Sequence, residues 1–197
     1  MRDAGPLDAA IAAIDRINSQ DPTLIVVAGS PQPKELEHAR RMTHWLRRLV
    51  PEPTPAQEIA ARAHHLRRWA SPRDAFPEGR AGYLRWRAAA RRRHVAEVSE
   101  LLEGQGFDPA MIAEVARIMA KEGRTSHADV QAHEDALCLT FCELQLEEMI
   151  DRLGRDHTVS VVRKTLAKMS PAARAMAADV PMSDAARLVI DEAAAAG

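Results

Sequence analysis

Residues 128–152 read ADVQAHEDALCLTFCELQLEEMIDR, with neither proline nor glycine until Gly154. Val130, Glu134, Leu137, Phe141 and Leu144 advance by four, three, four and three positions, which sets them along one face of an α-helix. That face is apolar except at Glu134, and Asp135 stands on its flank beside Cys138 and Cys142. A helix with such a stripe must bury it against other helices, and the rest of the chain repeats the same period.

Working outward, Asp108 and Pro109 supply an N-cap and a first-turn proline for a helix ending at Gly123. Residues 82–103 form a longer helix stopped by Gly104 and Gly106. A helix over 55–70 carries Ile59, Ala63 and Leu66, and one over 34–50 carries Leu36, Ala39, Met42, Leu46 and Leu49 up to Pro51. Leu7, Ile11, Ile14 and Ile17 mark a first helix that stops at Asp21 and Pro22. Shorter helices follow at the C-terminal end, from His157 to Met169, from Ser170 and from Ser183. Leu24 to Val27 reads as one isolated extended segment before a turn-rich loop over 29–33, and Ser71 to Gly79 as a loop long enough to lie over a pocket. The expectation is an all-α fold, a compact multi-helix bundle of about eight or nine helices. It fills a single helical domain, 1–197, whose alanine-rich end from 193 should fray.

Composition narrows the function classes. With 197 residues, 46% hydrophobic and 28% charged, the chain can bury a real core without staples. Cys138 and Cys142 share a helix face, are poorly placed to bridge, and read as reduced core thiols. Met1 to Pro6 has no apolar secretory core, and the longest apolar run, Leu24 to Gly29, is far too short to span a bilayer. A cytoplasmic protein with no membrane contact is expected, as a monomer or a homo-oligomer. The net charge of -1 conceals a division, because residues 62–93 hold ten arginines against Asp74 and Glu78 while acids dominate 97–156. Neutralisation within the molecule is the favoured reading and nucleic-acid binding is disfavoured. No nucleophile elbow surrounds Ser30, and no phosphate-cradling glycine loop marks an NTPase or a dinucleotide enzyme.

Polar residues on apolar stripes are the informative exceptions. Besides Glu134, the helix over 82–103 aligns Leu84, Arg87, Arg91, His94 and Val98, and the helix over 55–70 aligns Glu58, Arg62, His65, Arg68 and Trp69. Buried charges must pair, bind a ligand or reach water, so these residues form either an arginine–carboxylate bracing network or a ligand pocket. His38, the His64–His65 pair and Asp135 follow one another in the order used by the HD-type metal phosphohydrolases, which they partly resemble. In that family histidines and carboxylates on separate helices hold divalent metal that activates water against phosphorus. Leu66 stands where the family needs an Asp after its second His, so a full two-metal centre is not expected. His94 and Glu97 form a His-x-x-Glu pair that could add ligands, making His38, His65, His94 and Asp135 the candidate metal set, with manganese, iron, cobalt or zinc as the candidate ions. His44, His127, His133 and His157 read as packing residues.

The phrases ARAHHLRRW (61–69), SPR (71–73), GYLRWR (82–87), EDALCL (134–139) and RKTLAKMS (163–170) occur in an order that resembles a bacterial and fungal helical family, domain of unknown function 4202. The resemblance implies one helical domain and marks His65, Arg68, Arg73, Tyr83, Arg87, Lys121, Gln131, Glu134 and Asp135 as characteristic polar positions. His64 replaces the usual Gln, and Leu166 a usual Trp. Arg68, Arg73, Arg87 and Lys121 would supply cationic donors, Glu134 and Asp135 carboxylates, and Trp69 and Tyr83 walls, with Gln131 beside them, for a small anionic or zwitterionic molecule. The leading expectation is a buried polar pocket serving metal-assisted hydrolysis of a phosphorylated metabolite or nucleotide. His65 would be ligand or base, and Glu134 or Asp135 its acidic partner. The alternative is a non-enzymatic adaptor that docks an acidic protein or RNA through outward-facing Arg67, Arg85, Arg92 and Arg93.

Overall fold

The computed structural model describes residues 5–27 and 29–195, so residues 1–4 of the leader reading and 196–197 of the tail lie outside it. The chain is mostly helical among those residues: α1 (Pro6–Asn18), α2 (Lys34–Leu49), α3 (Pro55–Ala63), α4 (Gly79–Gly104), α5 (Pro109–Ala120), α6 (Ala128–Leu144), α7 (Leu146–Leu153), α8 (Arg155–Leu166), α9 (Pro171–Met176) and α10 (Asp184–Ala195). No helix among them is long and apolar enough to cross a membrane.

The segment after α1 departs from the isolated strand expected there. β1 (Leu24–Val27) pairs antiparallel with β2 (Ser30–Pro33), Leu24 facing Pro33 and Val26 facing Pro31. Lys34 N donates to Thr23 O at 2.9 Å, and that phase puts the ladder bonds at Ile25–Gln32 and Val27–Ser30. Both prolines fall between bonding pairs, where no N–H is needed, so a proline-bearing loop sequence still forms a ribbon.

Two expected helices are cut short. α3 stops at Ala63 because Arg67 takes a left-handed conformation, φ 49°, held by its N–H on the buried Asn18 Oδ1 at 3.2 Å. His64 and His65 therefore sit on a tight turn beyond the helix. The run over 128–152 breaks at Gln145, φ −129°, and restarts as α7 with the fully buried Leu146. Leu137 and Phe141 are only half-buried, while Ala132, Ala136, Leu139 and Cys142 are buried, so α6 is enclosed nearly all round instead of along one stripe. At the C-terminal end α10 runs to Ala195, and Ala193 is buried in the core.

Two apolar clusters hold the structure. One gathers Met42, Trp45, Leu46, Leu139, Leu146, Val162 and Val189 from α2, α6, α7, α8 and α10. The other gathers Ile14, Ile59, Leu66, Leu102, Ile118 and Met119 from α1, α3, α4 and α5 and the turn after α3. α2 packs along α6, and α3 touches α1, α2, α5 and α6. The loop over 71–79 does not cover a pocket. It packs on the start of α4, where Trp86 Nε1 donates to Ser71 O at 2.8 Å. Gly82 permits that approach: a Cβ there would lie 1.7 Å from the Pro77 carbonyl oxygen. Gly82→Ala is expected to cost about 2–3 kcal/mol in urea denaturation, since backbone, not a flexible side chain, must move.

Candidate functional site

The first turns of α2 bring Glu35 and His38 onto one face, three residues apart. Asp21 anchors that end, accepting from Glu35 N and Thr23 N at 2.9 Å each. The turn after α3 adds His64 and His65, α4 adds His94 and α6 adds His133. His38 stacks on His65 with ring centres 4.0 Å apart; His64 lies 4.7 Å from His65 and 4.8 Å from His133, and His94 lies 5.9 Å from His65. His133 Nε2 and His64 Nδ1 share a hydrogen bond of 2.8 Å, and His65 Nδ1 meets Glu35 Oε2 at 3.1 Å. His38 is 2% exposed, yet neither of its nitrogens has a partner, and His94 Nε2 and His133 Nδ1 are also unpaired. Orphaned polar atoms in a closed interior are costly and call for an explanation.

Burial sets the charge states. It drives His38 down to about 3, reinforced by the Arg68 guanidinium, and His133 to about 3, reinforced by Lys121. His94 falls to about 4 by burial and then Arg68, and His64 and His65 lie well below their usual value for the same first reason. All five imidazoles are neutral at pH 7 and keep lone pairs. Burial raises Glu35 to about 7 despite the opposing pull of Arg68. Glu35, His38 and His65 each offer a ligand atom, all within 4.8 Å of one another.

Beside this cluster a cavity of about 420 Å³ is walled by His65, His94, Arg68, Arg87, Lys121 and Glu134, among others. Lys121 Nζ donates to Glu134 Oε2, and Lys168 Nζ lies 3.9 Å from Oε1. Burial would raise the Glu134 carboxyl, but Lys121, Lys168 and His133 together hold it below its usual value. Arg68 lies over the Trp86 ring at 4.7 Å and Arg87 over Tyr83 at 5.7 Å.

Of the residues expected from sequence, His65, Arg68, Tyr83, Arg87, Lys121, Glu134 and His94 share the cavity wall, with His38 stacked on His65. Asp135 does not join them. Its Oδ1 accepts from Gln131 Nε2 at 2.8 Å and Ser170 N at 2.9 Å, while Gln131 also donates to Lys168 O at 2.9 Å. Both residues brace the start of α9. Asp135→Ala should cost about 1–3 kcal/mol on denaturation by freeing the Ser170 N–H, while leaving metal titration of the folded protein unchanged. Arg73 turns within its loop to the Phe76 carbonyl at 2.9 Å, and Trp69 lies outside the cavity, where Trp86 forms the wall. Glu97 is drawn to Arg93 at 2.7 Å, so the His-x-x-Glu pair does not converge. Glu58 and Arg62 do brace helices, pairing with Arg47 at 2.8 Å and with Asp15 at 2.6 Å.

Sequence reasoning missed Glu35, whose signal is its place three residues before His38; His133, read as a packing residue, is buried and hydrogen-bonded to His64. Comparison with known proteins finds no match among curated proteins or among solved structures. One family matches, over residues 8–190, a span that contains every residue of the cluster and the cavity. By that match the chain belongs to the family described as Domain of unknown function (DUF4202).

Proposed function

We propose that the protein holds a divalent metal ion at Glu35, His38 and His65 and binds a small phosphorylated molecule in the adjoining cavity for metal-assisted hydrolysis. His38 carries the reading. A buried imidazole whose two nitrogens have no protein partner, stacked on a second imidazole and with a carboxylate oxygen within 4.8 Å, is suited to hold a cation. Two imidazoles and a carboxylate suit manganese, iron, cobalt or zinc. Such an ion, when bound, lowers the pKa of coordinated water and supplies a nucleophile for phosphorus. The chain order of His38 and His64–His65, similar to that of the HD-type phosphohydrolases, supports the same assignment, with Glu35 in place of Asp135 as the carboxylate.

The remaining residues position the substrate. Arg68, Arg87 and Lys121 face the cavity as donors for phosphate oxygens, and Glu134 fixes the Lys121 ammonium. His94, with Nε2 unpaired in the wall, offers a further lone pair to the ion. Water adds to phosphorus, the ester P–O bond breaks, and the proton passes to the departing alcohol oxygen.

Tag-free protein should contain close to one equivalent of metal by elemental analysis and hydrolyse phosphate monoesters with manganese, iron or cobalt. Sub-stoichiometric metal after loading with each ion would remove the proposal.

One observation favours a second reading. Arg85 and Arg92, seven residues apart on one face of α4, are exposed and make no ion pair among the described residues, a basic strip suited to an acidic protein or RNA. Arg67 and Arg93 are instead drawn to Glu97, at 3.8 Å and 2.7 Å. A complex formed through the strip must weaken steeply with salt.

A further inference from the structure

The cavity has two chemically different ends. Its α6 wall presents Glu134, then Leu137, Cys138 and Phe141, followed by Gln145 and by Met149 of α7. At about 1.5 Å of rise per residue, Phe141 stands about 10 Å beyond Glu134. α8 runs in the opposite sense: Lys168, just past its C-terminal end, lies 3.9 Å from Glu134, whereas Thr158 in its early turns reaches Met149 O at 3.4 Å. Val161 therefore belongs to the Phe141 and Met149 end.

The charged groups are tied to the other end. Lys121 is bonded to Glu134, Arg124 donates to Lys168 O at 3.2 Å, Arg91 donates to Ala120 O at 3.2 Å beside Lys121, and His64 is bonded to His133, the neighbour of Glu134. At the far end Leu137, Phe141, Met149 and Val161 are half-buried apolar side chains facing open space. Thr165 turns its hydroxyl back to Val161 O at 3.0 Å and offers a ligand no free donor.

We infer that the cavity's natural ligand is an amphiphile, a phosphate group carried on an apolar chain about 10 Å long that lies along α6. The inference rests on the proposal above that the cavity takes a phosphorylated molecule, and it names the organic part of that molecule. The cationic end neutralises the head, and continuity of the same cavity directs the tail between α6, α7 and α8. A hexose phosphate would press most of its hydroxyls against Leu137, Phe141, Met149 and Val161, with little besides Gln145 to bond them, which costs affinity. A tail replaces water on those walls.

Calorimetric titration of the full-length protein, with and without manganese, tests this. The probes are inorganic phosphate, straight-chain alkyl phosphates from methyl to octyl below their micelle concentrations, the matching alcohols, a hexose phosphate and a nucleoside monophosphate. Affinity should rise up to about fourfold per methylene, and the alcohols should bind at least about a hundredfold more weakly than their phosphates. Phe141→Ser should flatten the series and Lys168→Gln should weaken every phosphate alike. If the Phe141 variant does not fold, the wild-type series alone decides. A flat series, or a hexose or nucleoside phosphate binding as tightly as hexyl phosphate, overturns the inference. The two readings fail separately: a flat series in a metal-loaded protein that still hydrolyses phosphate esters sinks only the tail. A steep series in a protein that takes up no metal sinks only the hydrolase.

Discussion

Replacing His38 by Leu is expected to make the metal-free protein more stable, by about 1–3 kcal/mol, and to lower its affinity for divalent metal by more than about a hundredfold. The two effects share one cause. In the free protein the imidazole is 2% exposed and neither nitrogen finds a partner, so its two polar atoms are desolvated without return. Leucine fills a similar volume with no polar atom, and burying it against the His65 ring removes that penalty. A packing histidine behaves in the opposite way: its loss opens a cavity or breaks a hydrogen bond, and stability falls. The sign of the change in urea denaturation, with chelator present, therefore separates a residue kept for binding from one kept for folding. The companion measurement is the cobalt absorption spectrum, which should appear on titrating wild type and stay absent in the variant. Lower stability together with unchanged cobalt binding would contradict the assignment of His38 as a ligand.

Three helix starts were legible because local backbone chemistry marks them: Pro55 at α3, Asp108 and Pro109 at α5, Ser170 and Pro171 at α9. The breaks at Arg67 and Gln145 were not legible, because no glycine or proline announces them and distant partners impose them, Asn18 in one case and the burial of Leu146 in the other. The same limit governed the site. His65, Arg68, Arg87, Lys121 and Glu134 interrupt helical stripes or stand at the family's polar positions, and the structure brings them to one cavity. Asp135 interrupts its helix just as plainly, yet it serves the Ser170 N–H, since a buried carboxylate looks the same in sequence whether it caps a helix or faces a ligand. Glu35 was hidden by its position in the first turn of α2, where acidic residues are ordinary because they suit the helix dipole. Only the turn that brings His65 over it reveals a second use.

In chelating buffer the protein should lose stability steeply as the pH falls below about 6.5, the usual value for an unfolded histidine. His38, His64, His65, His94 and His133 all titrate far below that value when folded, chiefly because burial penalises the imidazolium. Between the two values the unfolded chain takes up protons that the folded chain refuses, so acid favours unfolding. Each histidine contributes up to about 1.4 kcal/mol per pH unit in that window. Glu35 acts with the opposite sign: its carboxyl is raised from 4.5 to about 7, so the folded chain holds its proton where the unfolded chain does not. Five histidines against one glutamate leave a net slope of about 5 kcal/mol per pH unit at its steepest. A domain with the usual stability of about 5–15 kcal/mol is then consumed within roughly one to three pH units below about 6.5. A divalent ion bound as proposed would occupy lone pairs on His38 and His65 and favour ionised Glu35, so saturating metal should move the acid midpoint downward. His133→Leu should lower the proton uptake at the midpoint by about one. Circular dichroism across pH 4 to 8, with and without zinc, reads all three effects. A protein that holds its fold down to pH 4 without metal cannot contain five neutral imidazoles sealed from water.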